Sequence, residues 1–538
     1  MGKRLVAFFS FFILLAGGLI VRILFLSLSS EYVEAGNSQS SYTVTVASSR
    51  GKIYDCKMRS LAGGKAVFKA VVEPSAATTA KLMSMKNPDL IFDIEEKLKA
   101  NRPFLIDVPD AGIDSEGIRV FKTVTRYAPT TPAAHVVGYM NGDGEGVSGI
   151  ERAYDSLLQN FGGTLTARYT VNARGSSIKN TEPVITDTLH NSDAGVVLTI
   201  DTDLQLIAER AAKKYLKSGA IVLLEAETGK IRACVSYPDF SPKNVADYLD
   251  GEDSPLLNKA FASYDVGSVF KLLVAATALE DGISPDIIFS CGGHVTIGSN
   301  TFRCSRRAGH GNLDMRGAIA QSCNCYFIEL SKQIGYEKLL AAAKKLGFGK
   351  KVQLGDNYFT SSGNLPDKGE LALPSGLANF SFGQGTLQAN PVQVASLILT
   401  IANGGEYLAP SIVEGVVNQS GEFIKKYPSS PKVFVWERET ANDIKNFMVA
   451  ATQEGTAKPG APNILSSAAK TSTAETGMKK EGKKVLQAWY AGFFPAENPR
   501  YVCVVLAENG ESGGATAGPV YKYIADNLTK LIFEEYEE

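Results

Sequence analysis

The longest apolar stretch of the chain lies at its N-terminus. Residues 5–21 are almost entirely apolar, and after Arg22 the pattern resumes over residues 23–28. Together these segments exceed the ~20 residues that a helix needs to cross a bilayer. Lys3 and Arg4 precede them, which favours a cytoplasmic N-terminus with the remaining chain outside. A cleaved signal peptide is the alternative, but the run is long for one and no convincing cleavage site follows it, so we predict an uncleaved anchor.

The hydrophobic pattern after residue 195 predicts a mixed α and β domain. Residues 204–216 have helical periodicity, and apolar runs at residues 220–224 and 231–236 flank Thr228-Gly229, which indicates a β-hairpin. A last helix is predicted at residues 520–533.

Length and charge narrow the functional classes. The chain has 538 residues, enough for two or three folded units, and its 55 basic and 56 acidic residues give a net charge of −1. Such a balance provides no field that attracts polyanions, so we expect no nucleic-acid partner.

Candidate chemistry begins with Ser268-Val-Phe-Lys271, which stands just before residues 272–279, an apolar stretch typical of a buried helix. Residues three apart share a helix face, so Ser268 Oγ and Lys271 Nζ would face one cleft. Serine needs a neutral base, and lysine can serve where apolar surroundings and a neighbouring cation lower its pKa. A helix N-cap serine with an exposed lysine is the alternative, because the same spacing recurs at Ser49/Lys52, Ser176/Lys179, Ser429/Lys432 and Ser467/Lys470.

A second motif, Ser322-Cys-Asn324, is predicted at a loop-to-helix junction. The Ser322 hydroxyl can relay a proton, and the Asn324 amide can hold a peptide group by donating and accepting at once. Simple helix capping by these two residues is the alternative, and the same pattern recurs at Ser362 and Asn364.

A third motif, Lys470-Thr-Ser-Thr473, precedes two β-rich runs and is predicted on the edge strand of an antiparallel sheet. The Lys470 ammonium can attract a substrate carboxylate, to which the hydroxyls of Thr471 and Thr473 can donate hydrogen bonds. The backbone N–H groups of Ser268 and Thr473 could stabilise an oxyanion. An edge-strand lysine that discourages aggregation is the alternative.

In this order and spacing, the three motifs resemble those of the penicillin-recognising serine acyltransferases, specifically the class B penicillin-binding proteins. The resemblance covers nearly the whole chain. It departs from the family at Ser472, where the third motif usually has glycine, and this puts the affinity for β-lactams in question. Further family-like stretches lie at residues 50–55, 135–139, 147–155, 197–201, 382–385 and 401–405.

The resemblance implies an α+β protein with a transmembrane helix, an elongated mixed α/β pedestal, and a transpeptidase domain. In that domain, helices flank a central antiparallel sheet and a helical subdomain carries the first two motifs. The expected bounds are a cytoplasmic tail at 1–4, an anchor at 5–28, a non-catalytic pedestal and dimerisation domain at 30–195, and the transpeptidase domain at 196–538.

The resemblance also implies the activity of a peptidoglycan D,D-transpeptidase that needs no cofactor or metal ion. Ser268 would attack the stem peptide with Lys271 as base, Ser322 as relay and Asn324 positioning the donor, while Lys470, Thr471, Ser472 and Thr473 line the substrate site. β-Lactams would acylate Ser268 as substrate analogues. Expected partners are peptidoglycan stem peptides, a membrane glycosyltransferase and other cell-wall synthesis proteins, with the catalytic domain outside the membrane.

Two other functions stay open. One is hydrolysis, as in D,D-carboxypeptidases or β-lactamases, where water replaces the acceptor amine. The other is a scaffold or activator of a membrane glycosyltransferase, with acylation secondary.

The chain has seven cysteines, so at least one is unpaired within a monomer. Cys291 and Cys304 flank a segment that could form a hairpin closed by a disulfide. The same region offers Cys291, His294, Cys304 and His310, a set able to bind zinc tetrahedrally. A disulfide, a zinc site and free thiols all stay open at this point.

Overall fold

The structure, a computed structural model, describes residues 2–28, 40–84, 94, 96–178, 181–189, 193–480 and 482–534. The predicted start of the pedestal at residue 30 lies outside the described residues.

The strands follow one another along the described residues as β1 Ser41–Ser49, β2 Lys52–Tyr54, β3 Ser60–Ala62, β4 Lys65–Val72, β5 Phe104–Val108, β6 Ile118–Thr125, β7 Gly163–Thr170, β8 Val184–Asp187, β9 Gly195–Leu198, β10 Gly219–Glu225, β11 Ile231–Tyr237, β12 Tyr264–Asp265, β13 Phe289–Cys291, β14 His294–Ile297, β15 Asn300–Arg303, β16 Gly311–Leu313, β17 Gln353–Gly355, β18 Tyr358–Phe359, β19 Gln388–Ala389, β20 Glu406–Tyr407, β21 Val413–Val417, β22 Phe423–Lys426, β23 Val433–Phe434, β24 Ala468–Lys480, β25 Lys483–Phe494 and β26 Tyr501–Glu508.

The α-helices are α1 Gly2–Leu28, α2 Ala76–Met83, α3 Ala134–Val137, α4 Gly149–Ala153, α5 Asp155–Asn160, α6 Thr202–Tyr215, α7 Lys271–Glu280, α8 Met315–Ala320, α9 Asn324–Ile334, α10 Tyr336–Lys345, α11 Lys368–Ala372, α12 Pro374–Ser381, α13 Pro391–Ala402, α14 Arg438–Gln453 and α15 Gly518–Glu534. A 3₁₀ turn at Gly267–Phe270 leads directly into α7.

The first compact unit comprises residues 1–50, 63–126 and 161–192. It contains α1, α2 and two three-stranded sheets with strand orders β1-β7-β8 and β5-β4-β6. Helix α1 is long and apolar enough to cross a membrane, with a mean hydropathy of 2.5 over its most apolar window. The predicted anchor therefore has a helix of the required length.

The second compact unit comprises residues 51–62, 127–160 and 193–538 and is built around an antiparallel sheet of order β11-β10-β26-β25-β24. The predicted hairpin is confirmed as the pair β10 and β11, whose register runs from Gly219 opposite Tyr237. Strands β10 and β26 are buried on both faces, because Ile221 and Val505 pack among α6 and α15 while Val222 and Val504 pack into the larger core on the other side.

Both faces of this sheet are thus covered, and strand β24 is left at its edge. Helices α7, α8, α9, α10 and α14 form the helical part beside that edge, and the predicted fold class is confirmed. The sequence predicts a single domain boundary near residue 195, and these bounds stay a prediction. In the structure, residues 51–62 and 127–160 cluster with the unit that holds the large sheet.

Candidate active site

Ser268 lies in the 3₁₀ turn before α7, rather than in the first turn of the α-helix as expected. Gly267 makes this turn possible. Its φ is +61°, and a Cβ there would lie 2.3 Å from Ser472 Oγ. Its N–H donates to the Gly383 carbonyl at 2.8 Å. The absence of a side chain therefore lets the turn approach strand β24 and brings Ser268 to the edge of the sheet.

Lys271 begins α7 and is fully buried. Its Nζ donates to the Ser322 carbonyl at 2.8 Å and to Asn324 Oδ1 at 2.6 Å, and it lies 3.4 Å from Ser322 Oγ. These bonds join the first motif to the second; among the described contacts, none joins Lys271 to Ser268 Oγ. Burial lowers the pKa of Lys271 to about 8, against a smaller opposing effect of Cys323, Cys304 and Cys325.

Ser322 occupies the short turn between α8 and α9 with a φ of +57°. A left-handed conformation costs free energy at a residue other than glycine, and such strain is concentrated at functional sites. The turn directs the Ser322 hydroxyl towards two lysines, since Lys470 Nζ donates to it at 2.9 Å. Asn324 follows as the first residue of α9 and donates through Nδ2 to the Arg303 carbonyl at 3.0 Å.

The third motif lies on β24, at the edge of the sheet as predicted. Lys470 is fully buried, and it donates to its neighbour's carbonyl, that of Thr471, at 2.8 Å. Burial and then the charge of Lys271 hold the pKa of Lys470 well below its usual value. Two ammonium groups sharing one hydroxyl would repel each other, so the geometry favours a neutral amine in this pair.

Thr471 and Thr473 face the other side of β24 because side chains alternate along a strand. Thr471 Oγ1 lies 2.7 Å from Thr456 Oγ1, and Thr473 Oγ1 accepts from the Gly513 N–H at 3.3 Å. Thr473 is exposed, so its hydroxyl is open to a bound molecule.

Ser472 shares a face with Lys470 and is 2% exposed. Its Oγ accepts the hydrogen bond of the Ser268 backbone N–H at 2.7 Å. That N–H is one of the two groups predicted to stabilise an oxyanion. The serine that replaces the expected glycine therefore occupies a donor that a reacting carbonyl oxygen would need.

A cluster of thiols lies beside the second motif. Sulfur atoms of Cys291, Cys304 and Cys323 and a ring nitrogen of His310 all lie within 4.8 Å of one another. All seven cysteines are free, so Cys291 and Cys304 are not joined by a disulfide. His294 of the predicted zinc set is exposed on β14 and is not in this group; Cys323 takes its place.

Sequence reasoning overlooked Cys323 and Thr456. Cys323 lies inside the second motif, so its position between two candidate site residues was a usable signal. Thr456 lies outside all three motifs, and only the fold brings its hydroxyl to Thr471.

Residues 219–526 match the family model of the penicillin-binding protein transpeptidase domain. The chain belongs to this family. More narrowly, it is a class B penicillin-binding protein, and the matched segment contains all three motifs.

Two curated relatives show how far the likeness extends. Stage V sporulation protein D of Bacillus subtilis is 29% identical over 440 residues, covering 78% of this chain and 66% of the relative. The peptidoglycan D,D-transpeptidase MrdA of Acinetobacter baumannii is 27% identical over 458 residues, covering 76% of this chain and 67% of the relative. This penicillin-binding protein thus aligns with about two thirds of the length of these relatives.

Solved structures share the fold over most of the chain. Penicillin-binding protein 3 of Mycobacterium tuberculosis, complexed with aztreonam, superposes with a TM-score of 0.66 at 23% identity, covering 91% of this chain and 97% of that one. A chain of a peptidoglycan synthase complex, described as coordinating polymerization and crosslinking, reaches a TM-score of 0.69 at 24% identity, covering 97% of each chain.

Proposed function

We propose that this penicillin-binding protein is a peptidoglycan D,D-transpeptidase that cross-links stem peptides through an acyl-enzyme on Ser268. One observation carries the proposal: the Ser322 hydroxyl lies 2.9 Å from Lys470 Nζ and 3.4 Å from Lys271 Nζ. Lys271 is the first residue of α7, the helix that follows Ser268. This arrangement supplies a buried amine as base and a hydroxyl that can pass a proton.

In the acylation step, Ser268 Oγ attacks the carbonyl carbon of the penultimate D-alanine of the donor peptide. Neutral Lys271 takes the hydroxyl proton as the new C–O bond forms. Ser322 delivers a proton to the nitrogen of the terminal D-alanine, the C–N bond breaks, and D-alanine leaves as an amine. Both Lys271 and Lys470 contact Ser322, so either can return a proton to its hydroxyl.

In the second step, an amine from another stem peptide attacks the ester carbonyl and takes the place of Ser268. The amine loses a proton to Lys271 through the same relay, and Ser268 regains its own. Water in place of the amine would give hydrolysis, so the outcome depends on what reaches the acyl-enzyme.

Donor binding is assigned to the outward face of β24. Thr473 is exposed, so its hydroxyl is placed for a terminal carboxylate. Thr471 has the same orientation on the strand but is buried, and its hydroxyl would have to exchange its contact with Thr456 to bind the same group. The Asn324 amide is now bonded to Lys271 and to the Arg303 carbonyl. Binding of a donor peptide by Asn324 would exchange at least one of these bonds.

The location of the protein is inferred from α1, and its partners are inferred from its structural neighbours. The apolar helix would anchor the protein with its catalytic domain on the outer side of the membrane, where the wall is assembled. One structural neighbour is a complex of penicillin-binding protein 2 with MreC from Helicobacter pylori, and another is the peptidoglycan synthase complex above. By this analogy, the partners are a membrane glycosyltransferase and other wall-synthesis proteins.

The direct test supplies the full-length protein in detergent with uncross-linked glycan strands bearing pentapeptide stems. Digestion and mass spectrometry then count cross-linked stem dimers and free D-alanine. The proposal predicts dimers that disappear in Ser268→Ala. Free D-alanine without dimers would instead assign hydrolysis.

One observation favours a second function, that of a scaffold for a glycosyltransferase. The Ser472 hydroxyl accepts a hydrogen bond from the Ser268 N–H, and this bond would slow acylation. If Ser268→Ala supports wall growth as fully as the unchanged protein does, the scaffold function is correct and cross-linking is secondary.

A further inference from the structure

A group of arginines lies beside the second motif and is outside the proposed mechanism. Residues 287–313 contain no aspartate or glutamate, yet they include Arg303, Arg306 and Arg307. The whole chain has a net charge of −1, so this segment is a local concentration of positive charge. We infer that these three side chains, called here the arginine rim, bind carboxylates along the donor stem peptide. The inference rests on the proposed function and names its substrate class: stem peptides that keep free carboxylates besides the terminal one.

The arginine rim has no anionic partner within the protein. All three side chains are exposed, and none makes an ion pair or a side-chain hydrogen bond with the described residues. Other exposed cations of the helical part are paired, since Arg316 binds Glu454 and Lys332 binds Glu329, each at 2.7 Å. Three guanidinium groups within five residues repel one another unless an anion lies between them. Each can bind a carboxylate through two parallel N–H bonds, so carboxylates are the anions that the rim suits.

A backbone contact holds the rim next to the active site. The Asn324 side chain donates to the Arg303 carbonyl at 3.0 Å. The Gly309 N–H donates to the Arg306 carbonyl at 3.0 Å, so the chain turns back just after the rim. The Cα atom of Arg306, three residues on, lies at most ~11 Å from that of Arg303. All three arginines are therefore close to the amide that is proposed to position the donor.

A second contact connects the rim to the nucleophile. Phe302, the residue before the rim, packs edge to face on Phe382 with ring centroids 6.3 Å apart. Phe382 is followed by Gly383, whose carbonyl accepts the N–H of Gly267 at 2.8 Å. Gly267 directly precedes Ser268. The rim is thus held from two sides, by the second motif and by the segment behind Ser268.

This position places the rim along the path of the donor peptide. The terminal carboxylate is assigned to Thr473 on β24, and the donor's last peptide group is assigned to Asn324. The preceding residues of the stem then leave the cleft beside Asn324, where Arg303 follows in space. An exposed ion pair contributes up to about fivefold to a binding constant, so two such pairs would contribute up to about 25-fold. Amidation of the stem carboxyls removes their charge and with it this preference.

The first test measures binding without turnover, in full-length Ser268→Ala in detergent. Fluorescence anisotropy gives the Kd of a labelled pentapeptide stem with free carboxylates and of the same stem amidated at every carboxyl except the terminal one. We expect the free-acid stem to bind about 5- to 25-fold more tightly at low salt. This advantage should disappear towards 1 M salt, where the Debye length falls to about 3 Å. Equal affinities at low salt would overturn the proposal.

Matched variants assign the effect to the rim. Arg303→Gln/Arg306→Gln/Arg307→Gln should bind both stems equally. The control variant removes the same number of charges from exposed basic residues on and just after α6, by the changes Arg210→Gln, Lys213→Gln and Lys217→Gln. This control should keep the preference for the free-acid stem, and equal loss in both triple variants would refute the assignment. Replacement of the rim by three lysines keeps the charge, so that variant should prefer the free-acid stem more than the glutamine variant does. Equal loss of preference in the lysine and glutamine variants would refute electrostatic recognition.

Turnover separates the rim from the proposed function. Penicillin lacks the upstream residues of a stem, so acylation of Ser268 by labelled penicillin should change by no more than about twofold in the glutamine variant. The unchanged protein should cross-link free-acid glycan strands faster than amidated ones, and the glutamine variant should cross-link both at one rate. If the unchanged protein cross-links both kinds of strand equally, the rim's role is refuted and the proposed function stands. If it cross-links neither, the proposed function is refuted, and the binding comparison in Ser268→Ala still decides whether the rim binds carboxylates.

Discussion

Ser472 stands in the third motif at the position where the family resemblance implies glycine. Its Oγ accepts the Ser268 N–H at 2.7 Å. A carbonyl oxygen that becomes negative during attack on Ser268 needs that N–H, so the Ser472 hydroxyl must first give it up. Ser472→Gly should therefore accelerate acylation.

The hydrogen bond sets the magnitude. A hydrogen bond contributes a net ~0.5–1.5 kcal/mol, so freeing the N–H should raise the acylation rate constant about 2- to 13-fold. Glycine in a strand interior costs about 0.5–1 kcal/mol relative to alanine. Ser472→Gly should thus be acylated faster than the unchanged protein. It should also unfold at a lower temperature than Ser472→Ala.

Ser472→Ala is the matched control because it removes the hydroxyl and keeps Cβ. Stopped-flow measurement with a fluorescent penicillin gives the second-order acylation rate constant of each variant. We expect both variants to be faster than the unchanged protein. Acceleration in Ser472→Gly alone would assign the effect to the side-chain bulk, and slower acylation in both would refute the reasoning.

Three further predictions use the same acylation assay. Gly267→Ala should abolish acylation, because its Cβ would lie 2.3 Å from Ser472 Oγ. Gly142→Ala, with open space around its Cβ, should leave acylation unchanged. A fully active Gly267→Ala would contradict the close approach of the two segments. If the Ser322 hydroxyl relays the proton, Ser322→Ala should slow acylation by about 10²–10⁴-fold. Ser362→Ala, in the other Ser-x-Asn sequence, should have no effect. Similar acylation rates in the two variants would exclude the relay. Only neutral Lys271 can accept a proton and its pKa is about 8, so the rate should rise about tenfold from pH 7 to pH 9 and then level off. A rate that falls over that range would show that the charged form is needed.

Several features of this site were predictable from local sequence. The edge position of Lys470 follows from two β-rich runs after it, and the buried helix after Ser268 follows from its apolar residues. Gly267 before Ser268 was a further local signal. The backbone conformation at Ser268 was harder to predict from the sequence. The 3₁₀ turn packs against β24, which lies some two hundred residues further along the chain (472 − 268 = 204).

Contacts between distant segments account for what sequence reasoning missed. The sequence suggested His294 as a metal ligand because it follows Cys291 at a common ligand spacing. The structure places His294 on a hairpin strand with its side chain exposed, and the fold brings Cys323 to His310 instead. Likewise, apolar surroundings and Lys470 were both expected to lower the pKa of Lys271. Burial does lower it, but the charge effect acts in the other direction, since Lys271 contributes after burial to lowering the pKa of Lys470.

The most direct test of the acyl-enzyme is intact-mass spectrometry of the full-length protein after incubation with a labelled penicillin. The account predicts one adduct per chain, absent in Ser268→Ala and retained in Ser429→Ala, which alters an exposed copy of the same Ser-x-x-Lys spacing. An adduct that persists in Ser268→Ala, or none at all in the unchanged protein and in Ser472→Gly, would contradict the assignment of Ser268 as the nucleophile.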